Sequence, residues 1–207
     1  MQGIIGKKIG MSALYQNGVR VPVSLILAGP CTVLQKKPSP KNGKSVYLVG
    51  FEEKLEKRTR KPEIGLFKKV QVKPLAFLKE FKSESEYQIG QQYDVSIFEN
   101  EKMVKVTGIS KGRGFIGAVK RFNKTIGPQS HGNTTKRAPG SLGNRSFPGW
   151  VFKGKPLPGH MGDVQVTIQH LKVMRVNKEK NLLALEGSVP GANQGIVYIY
   201  KNTINKN

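Results

Sequence analysis

The sequence predicts a mostly β protein, a small antiparallel barrel or sandwich, on three observations. Short runs of alternating apolar and polar residues recur at both ends of the chain, turn signals separate them, and only one stretch has convincing helical spacing. Expected strands are Val19-Arg-Val-Pro-Val-Ser-Leu-Ile-Leu, Ser45-Val-Tyr-Leu-Val-Gly-Phe and Tyr93-Asp-Val-Ser-Ile-Phe in the first half. Val164-Gln-Val-Thr-Ile, Leu171-Lys-Val-Met-Arg-Val, Asn181-Leu-Leu-Ala-Leu and Gly195-Ile-Val-Tyr-Ile-Tyr follow in the second. Asn17-Gly18 and Asn42-Gly43 read as tight hairpin turns, because both central residues of a type I′ turn need positive φ. Pro22 lacks a donor N–H, which pushes its strand toward a sheet edge or a bulge.

The expected helix starts at Pro74, with Leu75, Phe77, Leu78 and Phe81 at helical spacing before Lys82-Ser83. Glu52 to Lys61 has helix-forming residues but little apolar face and meets Pro62, so it reads as an exposed loop or a frayed helix.

Alternation ends after Lys102-Met-Val-Lys-Val-Thr107 and resumes at Val164. Between Lys102 and Gly162 there is no Asp or Glu in 61 residues, where an average segment would hold roughly seven. The same run holds twelve Lys/Arg, twelve Gly and five Pro. Removing one sign of charge is what a polyanion demands, since each cation near a phosphate releases a counterion and each carboxylate there costs affinity. The expected organisation is a discontinuous β body over 1–107 and 163–207, with a helix-containing insertion at about 52–90. A basic, largely irregular extension over 108–162 orders on a partner in this reading.

Bulk numbers agree with that partner. Of the net charge of +22, the acid-free run supplies +12, so the excess is concentrated. A hydrophobic fraction of 37% is low for a globular domain. Cys31 is the only cysteine, which rules out an internal disulfide framework and points to a reducing compartment. No apolar stretch approaches the ~20 residues of a helical membrane span, and the N-terminus lacks an apolar signal core, so a cytoplasmic protein is expected.

Sites of other classes are poorly supported. Gly112-Arg-Gly-Phe-Ile-Gly117 has the spacing of a dinucleotide fingerprint, yet no acid follows before Asp163 to hold a ribose. A kinase reading lacks the His-Arg-Asp and Asp-Phe-Gly triplets. His131, His160 and His170 have no cysteine partners and no short ligand spacing, so neither a metal nor a cofactor is expected, and few acids remain for acid–base catalysis. The candidate nucleic-acid contacts are Lys7 and Lys8 near the N-terminus, then Lys111, Arg113, Lys120, Arg121, Lys124, His131, Lys136, Arg137, Arg145, Lys153, Lys155 and His160. Phe147 and Trp150 bracket Pro148-Gly149 in a segment too short to bury them, which suits stacking on splayed bases. Phe115 and Ile116 suit either RNA contact or a small satellite core.

Several segments resemble one family: Gly3-Ile-Ile-Gly-Lys-Lys-Ile-Gly-Met11, Gly29-Pro-Cys-Thr-Val33, Val106-Thr-Gly-Ile-Ser-Lys-Gly-Arg-Gly-Phe115 and Ser130-His-Gly132. Arg137-Ala-Pro-Gly-Ser141, Val151-Phe-Lys-Gly-Lys155, Gly159-His-Met-Gly162, Arg175-Val176 and Val189-Pro-Gly191 continue the match in order. The family is the bacterial third protein of the large ribosomal subunit. The resemblance implies a translation-factor-like β-barrel seated on large-subunit rRNA near its 3′ domain, among neighbouring large-subunit proteins. It also implies an extension threading toward the peptidyl transferase centre, with residues 141–149 at its tip. A cytoplasmic, ribosome-bound protein is implied, active in early subunit assembly, with no catalysis, small-molecule substrate or membrane. Phe147 and Trp150 stand where the family commonly has Thr and a basic residue. The tip reads Asn144-Arg145-Ser146, without the glutamine that is methylated in some members, so no such modification is expected.

Overall fold

The computed structural model describes residues 1–38, 45–83 and 85–202; the expected Asn42-Gly43 turn lies outside the described residues. The chain runs through β1 (Gly3–Gln16), β2 (Val19–Ala28), β3 (Cys31–Lys37) and β4 (Ser45–Glu53) before the first helix, α1 (Lys61–Val70). Next come β5 (Leu75–Ser83), β6 (Gln92–Tyr93), β7 (Met103–Ile109) and β8 (Phe115–Ile116), then α2 (Ala118–Phe122) and β9 (Gly159–His160). β10 (Gln165–Asn177), β11 (Leu182–Glu186) and β12 (Ile196–Lys201) finish the described chain. The fold is mostly β, as expected, and its main sheet is a closed antiparallel barrel in the order β1-β12-β7-β10-β11-β2. A second sheet has the order β5-β4-β3-β6, and β8 pairs only with β9.

Two compact units result. One comprises residues up to Ile109 and from Gln165 onward, the other Ser110–Val164. The first body segment runs two residues past its expected end and the second starts two residues after 163, because Gly108 and Ile109 still pair with Val166 and Gln165.

In the first unit, inward residues of the barrel and the facing side of the second sheet share one core. Ile4, Ile26, Val104, Val106, Leu183, Leu185 and Ile199 pack with Tyr47, Val49, Phe81 and Phe98. Gly3 lets the sheets close: a Cβ there would lie 2.6 Å from the Phe81 ring and 2.8 Å from the Ile199 carbonyl oxygen. The Asn17-Gly18 turn forms as expected, with φ of 50° and 78° and Gln16 paired with Val19. Pro22 lies beyond the reach of β11, which covers β2 only from Val23 to Leu27, so its missing N–H removes no bond to that strand. β10 joins two expected strands through a bulge between Ile168 and Leu171, where His170 has φ of 57° and its Nδ1 lies 2.8 Å from Asn202 Nδ2.

Three expectations are corrected. The stretch after Pro74 is a strand, not a helix, since Leu75, Phe77 and Phe81 fit a period of two as well as a helical one. Pairing with β4, from Glu53↔Leu75 to Ser45↔Ser83, decides between them. Gly50 makes room, for a Cβ there would meet Leu75 Cδ1 at 2.3 Å. The helix lies earlier: Pro62 falls in the first turn of α1, where a missing N–H is harmless, instead of stopping it. Gln71, at φ of 56°, caps that helix, and Phe67 anchors it against Leu34 and Leu75. Finally, the strand expected at Tyr93 ends there. The Asp94 carboxylate accepts the Ser96 backbone N–H at 3.0 Å and starts a 3₁₀ turn over Val95–Phe98, which buries both end residues.

Candidate nucleic-acid interface

The second unit begins as a two-stranded ribbon. Ser110 N–H donates to Val164 O at 2.9 Å, Arg113 N–H to Met161 O at 2.8 Å and Met161 N–H to Gly114 O at 3.0 Å. Phe115 then faces His160, and Ile116 faces Gly159. The ribbon puts Lys111, Arg113 and His160 on one short scaffold, all exposed.

Beyond it the chain turns through α2 and stops at Asn123, in the left-handed region at φ of 52°. Lys120 on this helix is exposed. Arg121 is half-buried, donates from Nη1 to Leu157 O at 2.9 Å and lies 5.0 Å over the Phe122 ring. Lys124 donates from Nζ to Pro139 O at 2.7 Å. These two cations therefore bind the unit's own backbone as well as offering charge. A loop held by Gly127 N–H to Lys136 O follows, and His131 and Gly132, both at positive φ, form its turn. Lys136, Arg137, Arg145 and Lys153 are exposed, and Lys155 is half-buried.

Asn133 was not singled out from the sequence, yet it organises this loop. Its Nδ2 donates to Pro128 O at 2.7 Å, and its Oδ1 accepts from the backbone N–H and hydroxyl of Thr135. Asx-type local bonding was the available signal.

The unit has almost no interior. Ala118 is its only buried residue, and of the two alternatives for Phe115 and Ile116 the satellite core does not form, since Phe115 is 78% exposed. Phe147 at 88% and Trp150 at 56% are also largely solvated, and Phe152 joins Trp150 with ring centroids 4.9 Å apart. Charge is equally unbalanced. Ten Lys/Arg lie between 110 and 164 with Asp163 as the sole acid. Among the described residues no ion pair involves any of them, while Lys36, Lys37, Lys73, Lys172, Lys178 and Lys201 are each paired with a glutamate.

The two N-terminal candidates behave differently. Successive strand residues point to opposite sides. Lys7 faces outward and pairs with Glu52 at 2.7 Å. Lys8 turns inward: it is only 7% exposed, and its Nζ donates to Val189 O at 2.7 Å and Gly191 O at 3.2 Å. In this geometry Lys8 serves the body's own backbone. Cys31 is buried beside Ile5 O at 3.6 Å, and burial pushes its thiol up to about 12. Among the described residues there is no group of three His, Cys, Asp or Glu that could hold a metal, and no helix long and apolar enough to cross a membrane.

The family model described as Ribosomal protein L3 matches residues 70–184. A relative from Petrotoga mobilis, named large ribosomal subunit protein uL3, is 45% identical over 201 residues, covering 96% of this chain and 94% of its own length. The chain belongs to the ribosomal protein L3 family. Proteins of the same name from Brachyspira pilosicoli (44% identical, 100% of this chain and 96% of theirs) and from a Geobacillus species (46%, 96% and 95%) agree over nearly the full length. The matched span includes the whole coreless basic unit.

Proposed function

We propose that this chain is a structural constituent of the large ribosomal subunit, in the cytoplasm, that binds rRNA directly and performs no catalysis. The 110–164 unit is the principal RNA-binding element. It enters crowded rRNA early in subunit assembly and extends toward the peptidyl transferase centre, while the barrel rests on rRNA near the 3′ domain beside other subunit proteins. One observation carries this reading: a unit with ten cations, one acid and one buried residue cannot hold itself together by a core, and its charge repels itself in water. Phosphates supply the missing counter-charge, and bases supply surfaces for Phe147 and Trp150. Membership of the family and the names carried by its relatives support the ribosomal setting.

The test is replacement of the cellular copy by a chain lacking residues 111–162. The expected result is accumulation of immature large-subunit particles. Normal assembly and full translational activity would overturn the role given to this unit.

A further inference from the structure

The β1–β2 hairpin carries the opposite signature to the basic unit. Pairing of β1 with β12 ends at Lys7, while pairing with β2 continues to Gln16↔Val19. β11 covers β2 only from Val23. Residues 13–16 and 19–22 thus form a two-stranded ribbon with no third strand on either side among the described residues, and the outer edge of β1 has no strand beside it over residues 9–16. Such ribbons are marginal in water without a further partner. The hairpin exposes Ile9, Met11, Tyr15 and Val19, with Tyr15 at 76%. Arg20 is the only charged residue between Lys8 and Lys36.

Its two edges differ in a way that selects one of them. The β2 edge carries Arg20 and Pro22, the residue types that discourage strand addition. Along β1, residues 9–16 have no charge and no proline. At about 3.3 Å per residue their outer edge, away from β2, is roughly 26 Å long. That edge begins beside a cleft of about 770 Å³ walled in part by Ile9, Leu27, Pro30, Phe51, Val72 and Leu75.

Charge decides the occupant. A ribbon with one cation can release on the order of one counterion, so RNA has little to gain there. A second copy would bring a further +22 against +22. We infer that residues 9–16 of β1 take up an extended, weakly charged segment of a different protein of the large subunit, added as a strand, with Met11 and Tyr15 packing on its side chains. The inference rests on the ribosomal reading above.

The test uses salt-washed large subunits from cells whose only copy carries a photoreactive phenylalanine analogue at position 15. A cross-link to one other subunit protein is expected. Amide exchange over residues 9–16 should also be slower by roughly tenfold or more than in the free chain. Both residues changed are solvent-exposed, so the pair Met11→Lys and Tyr15→Lys, made without the photoreactive group, keeps the fold; it should leave the chain in the subunit and reduce several-fold the amount of the partner protein, identified by the cross-link, that co-purifies with the particle. Cross-links to RNA alone, cross-links to a second copy, or fast exchange of these amides in the particle would each overturn the inference while leaving the ribosomal reading intact. Absence of the chain from salt-washed subunits would overturn that reading, and this inference with it.

Discussion

Gly162 and Lys111 are in backbone contact across the ribbon: a Cβ on Gly162 would fall 2.1 Å from the Lys111 carbonyl oxygen, and Gly162 has φ of +79°. Both facts exclude a side chain there. Gly162→Ala should therefore disrupt the pairing of residues 110–116 with 159–164 while leaving the barrel's thermal unfolding unchanged. Amide exchange of Arg113 and Met161, both donors in this ribbon, checks it; unchanged exchange would refute the close approach.

Removal of exposed cations should weaken RNA binding and lessen its salt dependence together. For Lys111→Ala, Arg113→Ala, Lys120→Ala and Lys136→Ala combined, the slope of log K against log salt should become shallower by about 3 to 4, at 0.7 to 0.9 per phosphate contact. Titration of the purified chain with a large-subunit rRNA fragment at several salt concentrations measures this. An unaltered slope would mean that these cations meet no phosphate.

Lys8 should behave in the opposite way. Its ammonium, bonded to Val189 O and Gly191 O, contributes on the order of 1.5 to 3 kcal/mol to folding. Lys8→Met is expected to lower the denaturation midpoint with little change in the salt slope of RNA binding.

Trp150 is the chain's only tryptophan, so its fluorescence reports one place. Binding of rRNA should quench it, and Trp150→Ala should cost about 1 to 3 kcal/mol if a base stacks there. That range corresponds to a loss of roughly 5- to 150-fold in affinity. Emission indifferent to saturating rRNA would rule out stacking at this residue.

The Cys31 thiol is raised from 9.0 to about 12, burial outweighing the opposing effect of the Ile5 backbone contact. The folded chain thus keeps its proton where the unfolded chain loses it. The associated stability is complete below about pH 9 and disappears as pH climbs toward 12. Native protein at pH 8 should resist thiol alkylation that proceeds readily in denaturant, and Cys31→Ala should flatten part of the alkaline fall in stability. Rapid alkylation of the folded chain would contradict its burial.

Much of the candidate interface was legible because charge sign and glycine content need no partner to be read. The run without acids, the exposed Phe147 and Trp150, and the turn at Asn17-Gly18 all follow from local chemistry. Where a residue's environment comes from distant chain, reading failed. Leu75 to Phe81 suits two periodicities until β4 lies beside it. Pro62 marks the start of a helix instead of an end because Phe67 has a pocket formed by Leu34 and Leu75.

From its residues alone this chain could be assigned alternating strands and a basic, acid-free middle, because spacing and charge are additive along a polymer. Folding alone decided that Lys7 stays at the surface while Lys8 is buried, that six strands close into a barrel, and that the first hairpin overhangs its neighbours. Those outcomes depend on strand register, in which a shift of one residue exchanges the two faces, and register is set by contacts made across the whole chain.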